Sequence, residues 1–174
     1  MRMNKRIIIV GKGGSGKDHL RKILEDKGFR YCISHTSRPP RDGEVEGEDY
    51  WFVNDSDFKV NPDSFYEYVK FNEWYYGTSI EEFGKSDLFI MTPSGILKLS
   101  SKDRKESLIV YLDVSENVLK DRLMHRDDAD NWGRRLEADR IDFKDFTDYD
   151  ILITDPFFTG NFKWVNDFKK IRYD

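Results

Sequence analysis

Ile7-Ile8-Ile9-Val10 runs directly into Gly11-Lys12-Gly13-Gly14-Ser15-Gly16-Lys17-Asp18, and this junction decides the fold. Four consecutive β-branched residues suit a strand buried on both faces. A helical pattern through Leu20, Ile23 and Leu24 follows the glycines and ends at Gly28. Strand, glycine-rich loop and helix in this order form the setting that a triphosphate-binding loop requires. Glycines let successive backbone N–H groups curl around a β-phosphate at a helix N-terminus, and Lys17 reaches the β- and γ-oxygens. The alternative is an ordinary glycine-rich strand-to-helix turn. The spacing of Gly11, Gly16 and Lys17 argues against it. Asp18 stands where Ser or Thr is usual. Its carboxylate is either a hard oxygen ligand for Mg²⁺ or a cap for the helix, and both roles stay open.

Working outward, 174 residues suffice for one domain with a substantial core and are too few for two ordinary ones. Thirty-three acidic against 29 basic residues give a net charge of −4, so no global pull toward nucleic acid or anionic membrane is expected. One cysteine, Cys32, excludes an intrachain disulfide framework and suits a reducing cytoplasm. No secretory leader and no apolar run of bilayer length is expected.

Strands are expected over 6–10, 29–34, 50–53, 65–71, 74–76, 87–92, 108–113 and 150–154. Helices are expected over 17–27, 79–83, 94–99, 116–124, 131–143 and 161–170, with a short turn near 55–58. Their alternation indicates an α/β fold with a parallel core sheet flanked by helices. Residues 36–78 break the rhythm and read as a small antiparallel insertion into a core of 1–35 and 79–174. A polar segment, about 122–135, has the character of a mobile lid. Inside the insertion's approach, Ser34-His35-Thr36-Ser37-Arg38-Pro39-Pro40-Arg41 sets two arginines on a proline-stiffened loop among hydroxyls. Guanidinium groups meet phosphate oxygens bidentately, so this loop is a second candidate for gripping a phosphate.

The loop at 11–17, the run from Ser34 to Phe52, and Tyr75-Tyr76-Gly77-Thr78 together resemble the guanylate kinase family, in the same order and at similar spacing. Arg122, Arg126, Arg134, Arg135 and the segment 149–155 resemble that family's lid and last core strand. The resemblance implies a P-loop NTPase fold with a GMP-binding insertion, a helical lid, Mg²⁺ as cofactor, and ATP and GMP or dGMP as substrates. It implies that Ser34, Arg38, Arg41, Tyr50 and Tyr76 hold the GMP phosphate, while Glu67 and Thr78 read the base. Guanine presents two adjacent donors that one carboxylate can accept, which agrees with Glu67 independently. Gly11, Lys12, Gly13, Gly14, Ser15, Gly16, Lys17 and Asp18 would hold ATP. Lys17, Arg38, Arg126 and Arg135 would act on the transferring phosphoryl group, and Arg122 and Arg134 read as solvated surface.

Three departures stand out. The family's Asp-x-Asp-x-x-Gly run appears here with Ile90 and Thr92 in place of the carboxylates, which suggests that the acid has moved to Asp18. The lid is about two residues short of the family's. Thr154 stands where the family usually has an asparagine. Two other functions fit the same residues: a deoxynucleoside monophosphate kinase of broader specificity, and a catalytically weak binding module. The intact Gly16-Lys17 argues against the second.

Overall fold

The computed structural model of the protein describes residues 5–126 and 131–173. Asp127, Asp128, Ala129 and Asp130, within the expected lid, lie outside the described residues. The first elements are β1 (Arg6–Gly11), α1 (Lys17–Asp26), β2 (His35–Thr36), β3 (Trp51–Phe52), α2 (Asp55–Val60), β4 (Phe65–Phe71) and β5 (Trp74–Ser79). Then follow α3 (Ile80–Lys85), β6 (Leu88–Ile90), α4 (Pro93–Ile96), α5 (Ser101–Lys105) and β7 (Ser107–Leu112). The chain continues with α6 (Glu116–Met124), α7 (Trp132–Phe143), β8 (Ile151–Ile153) and α8 (Lys163–Tyr173).

Four parallel strands in the order β6-β1-β7-β8 form the core sheet. The apolar run of β1 lies near its middle, and Ile7, Ile8, Ile9 and Val10 are all fully buried. Strand alternation sends these side chains to opposite faces. Ile7 and Ile9 pack with Leu20 and Leu24 of α1 and Val165 and Phe168 of α8. Ile8 and Val10 pack with Phe83, Phe89, Ile96 and Phe143. Each such side chain contributes about 1.5–3 kcal/mol of burial, so the loop at the end of β1 springs from a firmly held strand. Gly16 opens α1 in the left-handed region, at φ 98°. Asp18 therefore sits within the first helical turn, where it favours the helix dipole, and the cap position belongs to Gly16.

The insertion forms a second sheet in the order β3-β2-β5-β4. Its β4–β5 and β2–β5 pairs are antiparallel as expected, but β3 runs parallel to β2. Asn72 and Glu73 turn the β4–β5 hairpin with positive φ.

The expected strand over 29–34 is not formed. Tyr31 makes only a parallel bridge to Leu88, because side chains take the backbone donors on either side. Asp87 Oδ1 accepts from Arg30 N at 2.8 Å, and Glu82 Oε2 accepts from Ile33 N at 3.3 Å. The helix expected over 94–99 is shorter: α4, capped by Thr92, ends at Ile96, and an α5 outside the expected helices follows at Ser101–Lys105, capped by Ser100, which accepts from Asp103 N.

Candidate active site

At the C-terminal end of β1 the phosphate loop faces a cavity lined by Lys17, Asp18, Arg41, Arg122, Arg126 and Arg135. Lys17 Nζ donates to Gly11 O at 2.7 Å and Lys12 O at 3.0 Å, folding the side chain over its own loop. Burial lowers its pKa to about 8; the Asp139 carboxylate opposes that fall and the Arg135 guanidinium adds to it. Arg126 is exposed on the lid side and adds to the positive field around Lys17.

Arg122 departs from the expectation of a solvated surface residue. Its guanidinium donates to Gly14 O and Pro156 O, both at 2.8 Å, and so buttresses the phosphate loop. Arg134 stays on the surface, paired with Glu73 at 2.8 Å and 5.8 Å from the Trp74 ring. That pair nevertheless links α7 to the tip of the β4–β5 hairpin.

A second cavity opens from the first between the core and insertion sheets, with Ser34, Tyr50, Glu67 and Tyr76 in its walls. Glu67 and Thr78 are register partners on β4 and β5, which puts both side chains on one face. The Thr78 hydroxyl donates to Glu67 Oε1 at 2.8 Å; Thr78 is only 2% exposed and Glu67 8%. Burial pushes the Glu67 carboxyl up, and the Thr78 hydroxyl pulls against it. Glu67 Oε2 lies 3.2 Å from where a Cβ on Gly95 would stand, so glycine is what lets α4 approach the carboxylate. Tyr50 and Tyr76 meet edge to face at 6.3 Å. Burial, then the neighbouring Tyr76, raises the Tyr50 hydroxyl to about 12.

Arg38 and Arg41 are organised by a residue the sequence did not single out. Glu44 accepts from Arg38 Nη2 through both oxygens, at 2.8 and 3.0 Å, and from Arg41 N at 2.7 Å. Arg38 is 3% exposed, lies 5.4 Å from the Tyr50 ring, and has a buried Nε without a partner among the described residues. Proline stiffening and one carboxylate thus hold the loop, which leaves Arg38 Nε with unused donor capacity.

Two further residues escaped the sequence reading: Asp139 and Asp142 of α7, which line the same cavity as Ile90 and Thr92. Asp139 is 4% exposed, and its Oδ2 accepts from Gly13 N at 2.8 Å. Asp142 Oδ1 accepts from the Ser94 hydroxyl at 2.7 Å. Burial raises the Asp142 carboxyl, and Asp139 raises it further. The signal was present in the spacing: Arg135, Asp139 and Asp142 fall at i, i+4 and i+7, beside the buried Leu136 and Phe143. The carboxylates that share this cavity with Ile90 and Thr92 therefore come from α7. The side chain of Asp18 is 76% exposed and 3.8 Å from Arg21 Nε. Among the described residues no three His, Cys, Asp or Glu converge as a metal cage. A lone carboxylate at this wall still suits Mg²⁺ that arrives on ATP oxygens and keeps most of its waters.

The chain is similar to known proteins over most of its length. A family model described as guanylate kinase matches residues 3–168. The guanylate kinase of Rickettsia prowazekii (strain Madrid E) is 30% identical over 178 residues, covering 94% of this chain and 90% of that protein. The guanylate kinase of Sulfurimonas denitrificans is 33% identical over 160 residues, covering 84% of this chain and 78% of that one. The crystal structure of guanylate kinase from Anaplasma phagocytophilum superposes with a TM-score of 0.66 at 18% identity, covering 99% of this chain and 85% of that chain, and so shares the fold. With a matching family model over nearly its whole length and relatives of like extent, the chain belongs to the guanylate kinase family.

Proposed function

We propose that the chain transfers the γ-phosphoryl group of MgATP to GMP or dGMP, with the residues described above in stated roles. One observation carries the reading: the two cavities share Gly13, Lys17, Tyr50, Ile90 and Arg135. Phosphates entering from either side therefore meet where the cationic side chains converge. ATP occupies the side of the phosphate loop, from Gly11 to Asp18, and the monophosphate occupies the insertion side.

The protein has no covalent chemistry to perform. It must align two polyanions, offset their charge as the phosphoryl group moves, and exclude water. Lys17 and Arg135 supply charge at the junction, and Arg126 adds to it from the phosphate-loop side. Ser34, Arg38, Tyr50 and Tyr76 hold the acceptor phosphate, and Arg41 reaches it from the wall of the phosphate-loop cavity; Arg38 offers the Nε that has no partner among the described residues, and Glu44 keeps its fork in place. Glu67, held by Thr78, accepts the paired N–H donors of guanine and rejects adenine, which lacks them. Magnesium, held by ATP oxygens with Asp18 at the wall, would supply Lewis acidity toward the phosphates. The Arg134–Glu73 pair joins α7 to the hairpin tip and helps keep the cleft closed during transfer.

A panel of nucleoside monophosphates with ATP and Mg²⁺, followed by coupled ADP release, tests this. GMP and dGMP should exceed AMP, CMP and UMP in kcat/KM by orders of magnitude. A preference for AMP or a pyrimidine nucleotide would overturn the base-reading role of Glu67.

A further inference from the structure

Gly13 is gripped by α7 in a way that the phosphate loop itself does not require. Its N–H donates to Asp139 Oδ2 at 2.8 Å, and the contact is buried. A Cβ at position 13 would stand 2.3 Å from Arg135 Nε and 3.1 Å from Arg135 Cδ, so the Arg135 side chain lies against the glycine's bare face. Asp139 and Arg135 are one helical turn apart, so one face of α7 takes Gly13 both by hydrogen bond and by packing. From the neighbouring helix α6, Arg122 donates to Gly14 O at 2.8 Å.

Core packing does not account for a carboxylate at 139. The position falls in the buried stripe of α7 with Leu136 and Phe143, where an apolar side chain would be cheaper to bury. Removing a carboxylate from water costs more than one backbone N–H bond returns. What the acid provides is a directional tie between two elements that each carry a cation: Lys17 on α1 and Arg135 on α7. Those cations repel one another, and each must reach the same phosphoryl group.

We propose that Asp139 is a positioning residue for phosphoryl transfer, fixing α7, and with it Arg135, against Gly13 of the phosphate loop. This rests on the reading that Lys17 and Arg135 act on the transferring group. The tie depends on an acceptor oxygen at the right distance. Asparagine, whose Oδ1 accepts the same N–H, preserves it. Glutamate keeps the charge but displaces the oxygen by about one methylene.

Initial rates with MgATP and GMP on full-length Asp139→Ala, Asp139→Asn and Asp139→Glu, beside Lys17→Ala and thermal melting of each, test the proposal. A misplacement of about 1 Å in a catalytic group costs on the order of 10²-fold, so Asp139→Ala should lose about that factor in kcat while KM for GMP stays within about twofold. Asp139→Asn should recover to within about fivefold of the parent, and Asp139→Glu should fall at least about tenfold. If Asp139→Ala does not fold, the Asn and Glu pair decides. Asn falling as far as Ala or Glu, a Glu variant with normal turnover, or a folded Ala variant with normal kcat overturns the inference. So does a rise in KM for GMP that accounts for the whole loss. If Lys17→Ala itself retains turnover, the underlying reading of the site fails instead.

Discussion

Replacing Glu67 by glutamine tests base recognition with little disturbance of the fold. Glutamine keeps one acceptor oxygen, enough for the 2.8 Å bond from the Thr78 hydroxyl, and matches the glutamate in volume. It turns the other oxygen into an NH₂ group facing a guanine N–H. One charge-assisted hydrogen bond is lost, worth about 1.5–3 kcal/mol, and a donor is left unpaired at a cost of about 1–3 kcal/mol. Glu67 is 8% exposed, so water cannot easily repair the mismatch. The sum, about 2.5–6 kcal/mol, corresponds to roughly 10²–10⁴-fold in kcat/KM for GMP. Turnover of AMP should hold or rise, because glutamine no longer places a charge against the purine. The assay is coupled ADP release across GMP, dGMP and AMP, with thermal melting to confirm the fold. A GMP:AMP ratio unchanged from the parent would remove Glu67 from base reading altogether.

The pH dependence has two limbs with opposite signs. Burial holds the Glu67 carboxyl above the ordinary glutamate range, and it must be ionised to accept from guanine. The kcat/KM for GMP should therefore decline as pH falls, starting above the pH at which an exposed glutamate titrates, and Glu67→Gln should lose this limb. Lys17 is held down at about 8, so its proton leaves the free enzyme as pH rises through that value, and kcat/KM for ATP should drop above it. A profile level to about pH 10 would contradict the assignment. Lys17→Ala should lower kcat about 10³-fold with KM for GMP nearly unchanged, measured by steady-state kinetics. For the core, Phe89→Ala removes a ring that is 1% exposed and 5.2 Å from Phe83, and should cost about 3–5 kcal/mol in urea unfolding with an unchanged m-value.

Local chemistry made much of the architecture readable. Four β-branched residues before a glycine loop announce a buried strand and the start of α1, because both rest on neighbours in sequence. The strand expected over 65–71 forms with those bounds, and α6 spans 116–124 as expected. The strand expected over 29–34 fails for a nonlocal reason. Phe29, Tyr31 and Cys32 are buried, but Asp87 and Glu82 reach in from distant positions and take the backbone donors of Arg30 and Ile33. No window of the sequence contains that competition.

For the candidate site, the sequence alone determined the parts whose function follows from residue type and spacing. These are the phosphate loop with Lys17 and the proline-stiffened arginines. Tertiary structure alone decided which charges face one another. It turned Arg38 onto Glu44, sent Arg122 beneath the phosphate loop, and left Asp18 at the rim. It also brought Asp139 across 126 positions of chain to Gly13. The physical reason is that backbone conformation is set over a few residues. The partner of a buried charge is set by which helix the core lays against the loop, and that becomes defined only when the whole sheet has closed.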